Sequence, residues 1–535
     1  MNQEFAYNIL DILQTMWDAA KQMEQSCRAG KIEVFYSLSM DLWDGLVAVQ
    51  AVVREEVQDD KRIRLADACT CAMESLKDIK LKLVTNPEKA EWKLVYELEP
   101  IIETAAAQFY YWAIVAENPE KWGEFQSFLE STETYGLLKD KEKHIYQCDL
   151  VVQVMAYNHL DYTRDCVESV LKNLPKDIKT EIHLYNHGST DDTKEYFDSI
   201  ENENTYVLNI AVNWAMPGAI NKSVSRGKYY MLVSNDILIG RNAIENLYRC
   251  AAEHADYGYI VPTTPAVSNF QSIHADYKSW EEFEKFTENN NKYDTKRHEQ
   301  RARLCNPVCI MPSLLWEQMT LDMYQEIFCS KRPMYSFPDD RFSLWMRRHG
   351  YKNILMKDAY CHHFGSVTVK EEVDQQQEQS KIYREGREEF FRCYDIDPWG
   401  TGHCYETQLF DVWEIPRRDG ISVLGLNCGI GSNSLRVKEI LKEKGGHDIT
   451  LYNGTQKQCY VEDLRGISDH AFFFSKLSDI VTETGKRKFY YVIVNEPIQD
   501  ISQEELIHKL QEAGIRFREL AYKRPDGQWV LFILE

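Results

Sequence analysis

The middle of this chain carries a rhythm that leaves few folds open. Short β-rich runs alternate with helical stretches, and the runs end in polar residues. The first run covers residues 149–156, and a helical stretch follows over 162–174. Residues 181–185 and 193–200 repeat the pair, and 229–233 is a further apolar strand. Consecutive strands joined through helices need crossover connections, and these give a mainly parallel sheet with helices on its faces. Such sheets bind ligands beyond the carboxyl ends of their strands. Those are the ends where polar residues gather here.

The flanks read differently. The chain has 535 residues, and at roughly 150 residues per domain that suggests about three or four domains. Residues 1–145 show apolar positions at helical spacing, beginning with Phe5, Ile9, Leu13 and Met16. Further helical stretches are expected over 35–57, 63–83 and 92–116. Asn86-Pro87-Glu88 and Asn118-Pro119-Glu120 have the form of helix starts, with Asn as cap and Pro in the first turn. No catalytic grouping stands out, so a helical bundle for partner docking or oligomerisation is expected. The aromatics Phe109, Tyr110, Tyr111 and Trp112 suit core packing better than a sugar groove. After Pro398-Trp399-Gly400-Thr401-Gly402, residues 398–535 begin a second α/β series. The expected division is therefore 1–145, 147–397 and 398–535.

Charge and cysteine usage narrow the function classes. A net charge of −22 disfavours general nucleic-acid or anionic-membrane binding, because phosphates would be repelled over most of the surface. A single nucleotide can still bind where a divalent cation offsets that charge. The 14 cysteines form no paired Cys-x-x-Cys pattern and read as thiols in a reducing compartment. The first residues lack a signal-peptide pattern, and no apolar run approaches the ~18 residues of a membrane span. The expectation is a cytoplasmic protein.

Five segments of the middle region carry candidate chemistry. The first strand ends in Ala156-Tyr157-Asn158. The second leads into Asn186-His187-Gly188-Ser189-Thr190-Asp191, a tight turn that also suits helix capping. Ser234-Asn235-Asp236 follows the strand at 229–233, and a carboxylate there can hold a metal against a diphosphate. Pro338-Asp339-Asp340 precedes a stretch ending Arg347-Arg348-His349-Gly350-Tyr351. Adjacent acids at that place serve a helix N-terminus or act as a general base. Last comes His362-His363-Phe364-Gly365-Ser366, after the short run Ala359-Tyr360-Cys361.

Taken in order, these segments resemble glycosyltransferase family 2, the inverting enzymes of GT-A fold, and the likeness covers nearly the whole middle region. The small-residue stretch from Asn213 to Asn221 also has its counterpart there. The resemblance implies a Rossmann-like mixed sheet and a nucleotide-sugar donor. It places Asp236 on a divalent metal, Mn²⁺ or Mg²⁺, with His362 or His363 at a diphosphate or metal contact. Ala156, Tyr157, Asn158, Asn186, Gly188, Asn221, Ser234 and Asn235 fall where the family binds its donor. Asp339 aligns with the general base, and Asp340 is the fallback. Two positions depart from the family: Ser234 replaces the first acid of its metal triplet, and Asn186 replaces a base-contacting aspartate. The donor nucleotide is thereby left open among UDP sugars, dTDP sugars or another. The acceptor is a glycan or protein hydroxyl, with its pocket expected around residues 305–313 and 366–372.

In the third region, Val423-Leu424-Gly425-Leu426-Asn427-Cys428-Gly429-Ile430-Gly431 follows a strand and opens a helix. Backbone amides at such a place can face an anion or a cofactor's polar edge. The segment resembles the first motif of class I SAM-dependent methyltransferases, which implies a Rossmann-like domain with Gly425, Asn427, Gly429 and Gly431 at a SAM loop. The acids that family uses there stand here as Gly425 and Asn453, so a scaffolding domain is equally implied. Besides a metal-assisted glycosyltransferase, two other readings are open. One is a bifunctional glycosyltransferase and methyltransferase. The other is a non-catalytic glycan-binding pseudo-transferase.

Overall fold

The computed structural model describes residues 3–56, 60–212, 222–328, 337–365, 376–485, 487–499, 501–502 and 505–534. The chain forms two compact units. The first comprises Met1–Leu238, Met311–Met334 and Val367–Glu372; the second comprises Ile239–Ile310, Tyr335–Ser366 and Val373–Glu535.

The first unit opens with three long helices, α1 (Gln3–Arg28), α2 (Ile32–Glu56) and α3 (Asp60–Thr85), followed by α4 (Pro87–Lys93) and α5 (Glu99–Tyr110). Ala6, Ile9, Leu13, Met16, Ala20 and Met23 form one buried stripe along α1 at helical spacing. Burying each large aliphatic side chain of that stripe contributes about 2 kcal/mol. Asn86 caps α4, its side chain accepting from the Lys89 amide. The single helix expected over 92–116 is interrupted by π-helical turns at Leu94–Leu98 and Tyr111–Val115. Phe109 and Trp112 are buried, in keeping with core packing.

Strands β1 (Cys148–Ala156), β2 (Thr180–His187), β3 (Thr205–Ile210) and β4 (Gly227–Ser234) are parallel and lie in the order β3-β2-β1-β4. Strand β3, absent from the sequence reading, is an edge. Edge strands must be covered or blunted, and the helical layer covers this one. Trp92 stacks on Tyr206 with ring centroids 4.6 Å apart, and Lys89 donates to the Thr205 carbonyl at 3.0 Å. Tyr185, Tyr206, Leu208 and Ile210 belong to the same apolar core as α1, α2 and α3. Lys93, fully buried beneath this layer, is paired with both Asp78 and Glu97, as a buried charge requires.

After the short β5 (Ile237–Ile239) come β6 (Tyr257–Thr263), β7 (His298–Arg301) and β9 (Lys352–His363) of the second unit, and β8 (Val308–Pro312), whose residues up to Ile310 belong to it. β6 and β9 run parallel, whereas β8 is antiparallel to β6 and β7 to β9. The sheet of the central region is thus mixed. The short run at 359–361 is the end of the twelve-residue β9. Polar residues within β9 hid it: Asp358 is fully buried and meets His298 at 3.1 Å.

The last 114 or so residues form a second sheet, ordered β12-β11-β10-β13-β14-β15. Its strands are β10 (Ser422–Leu426), β11 (Thr450–Thr455), β12 (His470–Phe473), β13 (Lys488–Val494), β14 (Arg516–Lys523) and β15 (Trp529–Ile533). All pairings are parallel except β14 with β15. The architecture is therefore a helical N-terminal region, a central mixed sheet and a C-terminal Rossmann-like α/β region. No helix among the described residues is long and apolar enough to cross a membrane.

Candidate active site

In the first unit the parallel register brings the carboxyl ends of β1, β2 and β4 level. Ala156 lies opposite Asn186, and Met155 opposite Ser234. Beyond β1, Asn158 and His159 both adopt positive φ, 55° and 59°, a conformation that Asn tolerates better than most residues. Asn158 then holds the loop of the neighbouring strand. Its amide donates to Ser189 Oγ at 2.9 Å, and its Oδ1 accepts from the Thr190 amide at 2.8 Å. Gly188, at φ 74°, makes the turn that presents those groups.

Asn186 is buried at the floor of this loop. Its Nδ2 donates to Asn209 Oδ1 at 2.6 Å, and its Oδ1 accepts from the Ser189 amide at 3.1 Å. The Asn209 amide in turn donates to Glu97 of the helical layer at 2.8 Å. Asn235 braces the same corner, its Nδ2 donating to the Asn158 carbonyl at 3.0 Å and to Thr163 Oγ1 at 2.9 Å. The candidate donor residues thus form one cross-braced strand-end loop, with Tyr157 half-buried beside it. Asp236, 8% exposed, sits in the turn between β4 and β5. Asn209 and Glu97 were missed from the sequence because they lie on the unread strand and on a π turn. Asn221 lies outside the described residues.

In the second unit the adjacent acids differ sharply. Both sit in the first turn of the Pro338–Arg348 helix, after Phe337 at φ 59°. Asp340 is buried and held by Arg303, whose Nε reaches Oδ1 at 2.5 Å and Nη2 reaches Oδ2 at 3.3 Å. Asp339 is half-buried and accepts from the Asn306 backbone. Burial, and then the Asp340 carboxylate beside it, push Asp339 up to about 7, against the opposing pull of Arg303. Arg303 and Asn306 are themselves fixed from behind. Gln271, fully buried, accepts from the Cys305 amide at 2.7 Å and donates to the Cys305 carbonyl at 2.8 Å. Nothing in the sequence marked Arg303 as the partner of Asp340. Residues 305–313, expected to line an acceptor pocket, are largely buried strand and helix start; residues 366–372 lie outside the described residues.

His362 and His363 are neighbours on β9, and successive strand side chains point to opposite faces. The pair therefore cannot offer both rings to one ligand. His362 shares a hydrogen bond between Nδ1 and the Tyr277 hydroxyl, which also meets the Tyr360 hydroxyl at 2.8 Å. Burial, and then His363, hold His362 below its ordinary range. Among the described residues no three His, Cys, Asp or Glu side chains gather as a ready metal set. A hard cation that is bound through one carboxylate and the substrate's phosphates needs no such set, and Asp236 suits that kind of site.

The C-terminal glycine loop does not fit the cofactor cradle suggested by its sequence. The Ile430 and Ser432 amides donate to the carbonyls of Thr401 and Gly402, each at 3.3 Å. A Cβ on Gly429 would stand 1.7 Å from the Thr401 carbonyl oxygen, and one on Gly402 would stand 2.1 Å from that of Cys428. Gly425 is required by close approach of Asn453 and Ser434, and Gly431, at φ 89°, by Ile467. Asn427 bridges to Gln456, donating to its Oε1 at 3.0 Å and accepting from its amide at 2.9 Å. Gly429 thus admits the chain's own 401–402 segment, which engages the Ile430 and Ser432 amides.

Residues 151–303 match the family described as Glycosyl transferase family 2. Glycosyltransferase GlyG of Streptococcus pneumoniae serotype 4 is 34% identical over 106 residues, covering 19% of this chain and 35% of that protein. The chain thus spans about a third of the length of that curated relative. Among solved structures, GalNAc-T7 with UDP, GalNAc and Mn²⁺ shares 13% identity at a TM-score of 0.31, over 41% of this chain and 44% of the other. S. aureus TarS 1-349 in complex with UDP-GlcNAc shares 16% at 0.31, over 45% and 66%. The mannosyltransferase PcManGT from Pyrobaculum calidifontis, with GDP-Man and Mn²⁺, shares 12% at 0.28, over 48% and 68%. The central region is a glycosyltransferase-type domain of family 2.

Proposed function

We propose that this protein transfers a sugar, with inversion, from a nucleotide-diphosphate donor to a hydroxyl of a glycan or protein acceptor, assisted by Mn²⁺ or Mg²⁺. The observation that carries this reading is the unequal acid pair. Asp340 is neutralised by Arg303, whereas Asp339 is half-buried and pushed up to about 7, the range suited to a general base at neutral pH. Asp339 takes the proton of the attacking hydroxyl as that oxygen displaces the diphosphate in line. Asp236 would hold the cation, which supplies charge neutralisation for the leaving diphosphate. Asn186 keeps a carbonyl lone pair for an imide N–H of the base, while its cross-bracing fixes the side chain's orientation. The His362 ring would offer a hydrogen bond to the donor.

The test is a screen of UDP, dTDP and GDP sugars with and without Mn²⁺ or Mg²⁺, read by donor hydrolysis and by thermal shift. At least one donor should give a metal-dependent signal in both assays. Silence across all donors in both would sink the transferase reading. A SAM titration tests the bifunctional reading, and the occupied glycine loop leads us to expect no binding heat.

A further inference from the structure

The Pro338–Arg348 helix, which carries Asp339 in its first turn, is gripped at both ends by the stretch of chain that follows residue 375. At its last turn, Arg347 and Arg348 converge on one carboxylate, Asp463. That side chain is fully buried, and Arg347 is 3% exposed. Oδ1 accepts from Arg347 Nε at 3.1 Å and from its Nη2. Oδ2 accepts from Arg348 Nε at 3.1 Å and Nη2 at 2.7 Å. Arg347 Nη1 also donates to the Ala302 carbonyl, one residue from the Arg303 that holds Asp340. The helix Val461–Arg465, which supplies Asp463, lies so close that a Cβ on Gly466 would stand 2.3 Å from the Arg347 carbonyl oxygen.

At the first turn, the fully buried Arg341 donates to the Tyr394 hydroxyl at 3.2 Å and lies 5.2 Å from the Phe390 ring. Phe337, immediately before the helix, meets Trp399 edge-on at 4.9 Å. A surface salt bridge would hold such a helix weakly. Two guanidinium groups sharing one buried carboxylate form a fixed anchor, because removing it strands charge in the interior. The glycine loop of the same region packs against its own 401–402 segment.

We infer that the C-terminal region is a clamp on the carboxylate helix, and that Asp463 is a positioning residue for Asp339. This rests on the reading of Asp339 as the base. Asp463 touches no reacting atom and acts through the rigid helix, fixing where its first turn presents the acid.

The experiment is backbone hydrogen exchange of the full chain, wild type against Asp463→Asn, joined to steady-state kinetics with the donor that the wild type turns over. Exchange at residues 339–345 should rise by about tenfold while that of β1, β2 and β4 is unchanged. Turnover should fall about tenfold with the donor KM within about twofold, the split expected when positioning rather than binding is lost. If Asp463→Asn does not fold, Arg348→Gln carries the test, since it leaves Arg347 on Asp463; the same changes should follow at about two- to threefold. Exchange raised only at 346–348 and 461–466, or an unchanged turnover, would overturn the clamp. Asp339→Asn separates this from the parent reading. If that variant still turns over donor, the base assignment fails, and the exchange data still report whether the clamp exists.

Discussion

Two strand-end loops of this molecule have similar sequence grammar and opposite fates. In the central region, Asn158 and Asn186 brace the Gly188–Thr190 turn from beneath, leaving Ser189 and Asp191 half-buried and Thr190 exposed. In the C-terminal region, the Asn427–Gly431 loop lies against the 401–402 segment, whose Thr401 carbonyl takes the Ile430 amide. Each follows a parallel strand and precedes a helix. The difference lies in what sits above the loop, and that belongs to tertiary structure rather than motif. A glycine can admit a ligand's phosphate or a neighbouring backbone with equal ease.

The contrast can be broken or sharpened by substitution, and the largest effect is expected in the central region. Asp339→Asn should abolish turnover, a loss of about a thousandfold or more, while donor binding by thermal shift is retained. The same variant should not lose stability at pH 8. The sign follows from its shift. A carboxyl whose folded pKa lies above its unfolded value stabilises the fold when protonated, and that contribution is lost as pH rises through about 7. The amide has no charge to bury. For the same reason, wild-type kcat/KM should climb with pH through about 7, checked by a pH–rate profile at saturating metal.

Asp340→Asn should act the other way, on stability before chemistry. It leaves Arg303 buried with half its partner gone, at a cost of about 3 kcal/mol by denaturant melt. Gly429→Ala in the closed loop forces a side chain into left-handed backbone and onto the Thr401 carbonyl, costing about 2–4 kcal/mol by the same melt. A melt unchanged by Gly429→Ala would show the loop to be open and would revive a cofactor there. The smallest effect is expected at Asn186→Ala, which unties Asn209 and Ser189 and should raise the donor KM by about tenfold.

Much of this was legible in the sequence, for physical reasons that can be named. The parallel strands β1, β2 and β4 were read within two residues because strands covered on both faces are near-continuous apolar runs. The capped start at Asn86 was read because Asn before Pro has a local cause. β3, β5, β6, β7, β8, β12 and β14 went unread, as did most of β9, where buried Asp358, paired with His298, spoils the apolar run. The choice between Asp339 and Asp340 was open in the sequence, since it turns on Arg303, 37 residues from Asp340 along the chain. Asp463 could not have been suspected at all. Its role depends on a pairing across 116 residues, and no local pattern encodes that.

The helical layer over β3 bears on how the protein can be dissected. A fragment beginning near residue 147 would keep every candidate catalytic group, yet it would uncover Tyr206 and Leu208 and an unpaired sheet edge. Such an edge recruits strands from other molecules. The isolated central region is therefore expected to aggregate, and its insolubility would say nothing about its chemistry. The first 145 residues would then act as a permanent chaperone for one strand.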